Sequence, residues 1–162
     1  MKLMLFFLLP LLQGNLTVTS PAFDNGKHIP MKYSCEGSSI NPPLRVKGIP
    51  ARTKSLAIIV EDPDAPQGTV DHWVVWNIRP MPLIDENTGA GRSGRNTKGE
   101  NKYMGPCPPT GSHRYFFKVY ALNTMLELPE GVGKKELEEA MKGHVLSSGT
   151  LMGTYKKEGV HK

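Results

Sequence analysis

An all-β domain of two antiparallel sheets, with one or two short peripheral helices, is the fold class that the sequence predicts. Three observations lead there. Glycine and proline number 17 and 14 of 162 residues, a density that interrupts long helices and supplies the turns of a β-rich chain. Three runs of β-branched and aromatic residues are separated by turn-rich segments. Only one convincing helical periodicity is visible, near the C-terminal end.

In chain order, Leu16 to Ser20 alternates as a strand and stops at Pro21 and the turn-forming Asp24-Asn25-Gly26. Pro42-Pro43 and Gly48-Ile49-Pro50 bracket a short strand at Leu44 to Val46. Ser55 to Val60 is nearly all apolar, the pattern of a strand buried on both faces, and it ends at Asp62-Pro63-Asp64-Ala65-Pro66. His72 to Ile78 and His113 to Ala121 are the other two strong strands of the predicted core sheet. Arg79 to Pro109 is rich in Gly, Pro, Asn and charge and reads as a long irregular segment of a functional or mobile kind. A helix is predicted from about Lys134 to His144, with Leu137, Ala140, Met141 and Val145 on its apolar side.

The length corresponds to one domain of the usual ~150 residues. Hydrophobic residues at 38% and charged residues at 22% allow a buried core and lie outside the disordered range. A formal charge of +5 favours anionic partners without selecting nucleic acid, because the basic residues are dispersed and interrupted by Asp85 and Glu100. Two cysteines exclude a multi-disulfide framework and a four-thiolate zinc site.

Met1 and Lys2 precede an apolar run from Leu3 to Leu12, the length of a signal-peptide core and too short to span a bilayer. Residues 1–14 therefore read as a signal peptide and 15–162 as the domain, located in the periplasm or secreted. The other reading of the run is an arm or strand retained in a cytoplasmic protein. No Cys follows it to carry a lipid anchor, and no later segment approaches the ~20 apolar residues of a membrane span.

Polar residues gather at the edges of the three apolar strands: Asp62 with Asp64, Asp71 with His72, and His113 with Arg114 and Tyr115. Their shared position predicts one site, although singly Asp62 reads equally as a turn starter, His72 as a core histidine and Tyr115 as packing. Gly105-Pro106-Cys107-Pro108-Pro109 then forms a stiff rim leading into His113-Arg114-Tyr115. His72, His113 and Asp62 supply the donor types of a two-histidine, one-carboxylate metal site, but no HExxH or equivalent spacing supports it. No Gly-x-Ser-x-Gly elbow is present, and Cys107 is followed by prolines rather than by the second Cys of a zinc deaminase. Catalysis, metal and cofactor are therefore not expected.

Four ordered motifs, Asp62-Pro63-Asp64-Ala65-Pro66, His72-Trp73-Val74-Val75-Trp76-Asn77, Gly105-Pro106-Cys107-Pro108-Pro109 and Gly111-Ser112-His113-Arg114-Tyr115, resemble the phosphatidylethanolamine-binding proteins, in particular the bacterial Raf-kinase-inhibitor-like branch. The resemblance runs from Leu16 to Tyr155. It implies a non-enzymatic protein with a small anion pocket for phosphate-bearing ligands, either phosphoethanolamine-like head groups or phosphorylated side chains. By motif, Asp62, His72, Gly105, Pro106, His113 and Tyr115 would line it, with Asp64 in a supporting or turn position. His N–H and Tyr O–H groups donate to phosphate oxygens, and an acid can accept from an ammonium, so a ligand carrying both signs would suit both walls. The segment from Gln67 to Asp71 lacks the aromatics of animal members, and no long helix is expected after Tyr155, so contacts to lipid tails are not expected. Cys35 and Cys107 both lie in family-like loops, where an exported protein would permit a disulfide; two small buried thiols are the alternative. A homodimer is also implied by resemblance. The rival function is an exported modulator of a protease or signalling enzyme acting through the basic Arg92 to Lys102 loop.

Overall fold

The computed structural model describes residues 15–158; the expected signal peptide at 1–14 lies outside the described residues. The strands are β1 (Thr17–Thr19), β2 (Leu44–Lys47), β3 (Ser55–Asp62), β4 (Val70–Ile78), β5 (Leu83–Ile84), β6 (Arg92–Ser93), β7 (Ser112–Leu122) and β8 (Val145–Lys156). Among the described residues, one helix, α1 (Lys134–Met141), and a single 3-10 turn at Met31–Tyr33 complete the regular structure. They form two antiparallel sheets, a three-stranded one in the order β1-β2-β5 and a five-stranded one in the order β6-β4-β3-β7-β8.

β3 is buried on both faces, as its unbroken apolar run requires. Leu56, Ile58 and Val60 pack with Val18, Leu44, Val46 and Ile84 of the small sheet, forming the core between the sheets. Ala57 and Ile59 face the other way and pack with Leu137 and Met141 of α1. At about 25 cal/mol per Å² of apolar area removed from water, this two-sided burial makes β3 the strand on which both layers depend.

β4 departs from simple alternation at two bulges. Leu56 pairs with Ile78 but Ile58 pairs with Val75, so β4 carries an extra residue there. Asn77 takes it up at φ 56°, and Ile78 returns to the inter-sheet core while Trp76 stays on the helix side. Its amide also clamps Leu126 through two bonds, Nδ2–H to the Leu126 carbonyl at 2.9 Å and the Leu126 N–H to Oδ1 at 2.8 Å.

The structure corrects three sequence expectations. The helix ends at Met141; Gly143 adopts φ 76°, and Val145 opens β8 with 44% exposure instead of continuing the apolar side of the helix. The segment 79–109 is not structureless, because β5 and β6 pin it to the two sheets. β8, the longest of these strands, has no counterpart among the strands that the sequence predicts. Its glycines conceal it: a Cβ on Gly149 would lie 2.3 Å from the Leu16 carbonyl oxygen, and one on Gly153 would lie 2.5 Å from Ile29. Both positions are glycine because the N-terminal segment crosses close over the strand.

Candidate functional site

Strand register brings the predicted site residues to one end of the inter-sheet core. On β3 and β7, Asp62, His113 and Tyr115 continue the alternation of Val60 and Phe117, whose side chains enter that core. On β4 a second bulge does the work: Val60 pairs with Trp73 but Glu61 pairs with Asp71, leaving His72 as the extra residue. Bulges re-aim side chains, and this one turns His72 to the same site.

The result is a cavity of about 310 Å³ lined by Asp62, His72, Gly105, His113 and Tyr115 among others. Asp62, His72 and His113 are buried, at 3%, 4% and 7% exposure, and Tyr115 is fully buried. Apolar walls come from Pro66, Val70, Met104, Pro108 and Pro109, and Gln67 and Lys98 add polar groups. Pro106 does not line the cavity. It is buried behind the wall, where its carbonyl accepts the Cys35 N–H at 3.0 Å, and the neighbouring Cys107, Pro108 and Pro109 present the rim instead.

Each histidine has one nitrogen committed. The Nδ1–H of His113 donates to Oδ2 of Asp62 at 2.8 Å, while Oδ1 of Asp62 accepts the Asp64 N–H at 2.8 Å. The Nδ1–H of His72 donates to the Met104 carbonyl at 2.7 Å; a carbonyl can only accept, so the proton is assigned to Nδ1. In both rings Nε2 is the nitrogen left for a ligand. Burial pushes the His72 imidazole below its ordinary 6.5, against the opposing pull of the Met104 bond and the Asp62 and Asp71 charges. The edge of this ring meets Tyr115 at 5.2 Å between centroids.

The Tyr115 hydroxyl is buried without a hydrogen-bond partner. It lies near Asp62 and the Cys107 backbone without bonding geometry to either; burial first, then the Asp62 charge, pushes its acidity well below that of an ordinary tyrosine. Asp64 stands apart as a supporting residue. Its carboxylate accepts from the Arg114 N–H, Nε and Nη2 at 2.9, 2.9 and 2.8 Å, and these bonds hold its carboxyl down at about 2.

Cys35 and Cys107 are joined as a disulfide. Together with the Cys35–Pro106 backbone bond and the Gly105 N–H donated to Ser39 Oγ at 2.8 Å, it fastens the cavity wall to the 33–39 segment. A Cβ on Gly105 would lie 2.7 Å from Ser34 and Tyr33 backbone atoms, so only glycine permits this approach.

Lys98 lines the cavity as well, although the sequence presents it only as part of a basic loop. Its loop turns around Asn96, 3% exposed, whose Oδ1 accepts the Lys98 and Glu100 N–H groups and whose Nδ2–H donates to the Lys102 carbonyl. Thr97 then pins the loop to β4 through two bonds with the Asp71 backbone. Asn followed by Gly three residues on marks a turn, but no sequence signal says what that turn faces. Among the described residues no group of three His, Cys, Asp or Glu side chains is disposed to hold a metal ion, and no helix is long and apolar enough to cross a membrane.

Comparison with known proteins agrees with this architecture. The family model described as phosphatidylethanolamine-binding protein matches residues 19–156. A UPF0098 protein of Pyrococcus horikoshii is 49% identical over 150 residues, covering 86% of this chain and 76% of its own. One from Chlamydia muridarum is 47% identical over 153 residues, covering 88% of this chain and 100% of its own. Among solved structures, a phosphatidylethanolamine-binding protein homolog from Chlamydia trachomatis superposes with a TM-score of 0.86 at 45% identity, over 89% of this chain and 99% of the other. YbcL of E. coli, described as a member of the mammalian family, gives 0.81 at 27% identity, over 90% and 100%. The chain belongs to the phosphatidylethanolamine-binding protein family.

Proposed function

We propose that this ligand-binding protein takes small phosphate-bearing ligands in the cavity between Asp62, His72, His113 and Tyr115, and does so without catalysis. The observation that carries the reading is the fully buried Tyr115 hydroxyl, unpartnered beside two histidines that each keep Nε2 uncommitted. A buried polar group without a partner costs free energy comparable to a lost hydrogen bond, and an acceptor oxygen entering the cavity removes that cost. The histidines become donors to the same oxyanion once protonated. The apolar run from Leu3 to Leu12 and the Cys35–Cys107 disulfide support export to an oxidising compartment.

Titration with inorganic phosphate and phosphoethanolamine, followed by histidine NMR and calorimetry, tests the reading. Saturable binding that shifts the His72 and His113 signals and disappears in His72→Ala is the expected result. Unmoved histidine signals with no heat of binding would overturn it and leave the surface-loop modulator as the better account.

A further inference from the structure

Sequence reasoning expected a pocket of both signs, with an acid ready to receive an ammonium group. The geometry is different. Both oxygens of Asp62 already accept hydrogen bonds, Oδ1 from the Asp64 N–H and Oδ2 from His113. Asp71, the other acid beside His72, is ion-paired to Lys134 at 2.7 Å. Each oxygen of Asp62, the carboxylate that lines the cavity, thus already accepts one bond, and a further donor would have to share it. The one full positive charge that lines the cavity is Lys98, which is exposed and has no ion pair among the described residues. It is close enough for its charge to disfavour protonation of His72. Its loop is held by the Asn96 turn and the Thr97–Asp71 bonds rather than hanging free.

Resting on the phosphate reading above, we infer that Lys98 makes the cavity selective for a terminal phosphate monoester, a dianion, over a phosphodiester that carries its own ammonium. A monoester with two negative charges gains from the ammonium of Lys98 what a zwitterion already supplies internally. An ammonium on the ligand would in turn be repelled by Lys98 and would have to share Asp62 with His113 and the Asp64 N–H. The apolar Pro66, Pro108 and Pro109 fit an aryl or alkyl substituent on the ester oxygen.

Two probes decide it: phenyl phosphate as the monoester and glycerophosphoethanolamine as the zwitterionic diester. Each is titrated by calorimetry at low salt into wild type, Lys98→Gln and Lys98→Arg, near pH ~7.5, where a monoester is largely dianionic. Histidine NMR on the same samples reports whether the probe enters the cavity. The wild type should prefer phenyl phosphate, and Lys98→Gln should weaken that probe by up to about fivefold, the upper end for an exposed ion pair, while changing the diester less than about twofold. Lys98→Arg should restore the preference. Equal losses for both probes, no loss for either, or a wild-type preference for the diester would overturn the inference while leaving phosphate binding intact. Failure of the wild type to bind either probe would overturn both readings. Because the Lys98 side chain is solvent-facing, its variants should keep the wild-type unfolding midpoint, which is measured alongside.

Discussion

His72 and Met104 are tied by two reciprocal bonds: the His72 Nδ1–H donates to the Met104 carbonyl at 2.7 Å, and the Met104 N–H donates to the His72 carbonyl at 2.8 Å. The bulged residue of β4 thus orients its own ring and anchors the start of the opposite cavity wall. One residue serves the fold and the site together.

This burial predicts a pH dependence of stability. The folded-state pKa of His72 lies below its ordinary 6.5, so in the window between the two values the unfolded chain binds more protons. Stability attributable to His72 is therefore full above 6.5 and falls as the pH drops through 6.5 toward the lowered folded value. Urea midpoints of wild type and His72→Asn near pH ~7.5 and ~5.5 measure it. The wild type should lose more stability on acidification than the variant; parallel losses would show that His72 is not the group responsible.

Tyr115→Phe should separate folding from binding. The hydroxyl has no partner to lose, so removing it should leave stability within about 0.5 kcal/mol of wild type or raise it slightly. Phosphate affinity should fall about tenfold with the lost donor. A destabilisation above about 1.5 kcal/mol would mean that the hydroxyl is satisfied within the protein itself.

The disulfide joins cysteines 72 residues apart, and the chain-entropy model assigns a loop of that length about 4 kcal/mol, with the balance of entropy and enthalpy disputed. Cys35→Ser with Cys107→Ser should lower the urea midpoint accordingly. It should also weaken phosphate binding, because the wall from Met104 to Pro109 then rests on the His72–Met104, Pro106 and Ser39 bonds without the covalent tie. Unchanged affinity in the folded double variant would show that those bonds suffice to hold the wall.

Much of the frame was legible locally. The apolar and aromatic runs of β3, β4 and β7, and the polar residues at their ends, stand out because propensity and alternation are properties of neighbouring residues. β8 was not legible. Gly149 and Gly153 exist to admit the Leu16 carbonyl and the Ile29 side chain, and those contacts lie more than a hundred residues away in sequence. Val145 fitted the helical period equally well, until Gly143 turned the chain into the sheet.

By itself the sequence determined the β class, the principal strands, the turn positions and the identities of Asp62, His72, His113 and Tyr115. Tertiary structure alone decided that the bulge at His72 turns this side chain to the cavity, that both Asp62 oxygens are already engaged, that Pro106 stands behind the wall, and that Lys98 reaches the site. Side-chain period and turn chemistry are written residue by residue, whereas strand register and the distance between two loops emerge only when hydrogen bonding and core packing are satisfied across the whole sheet.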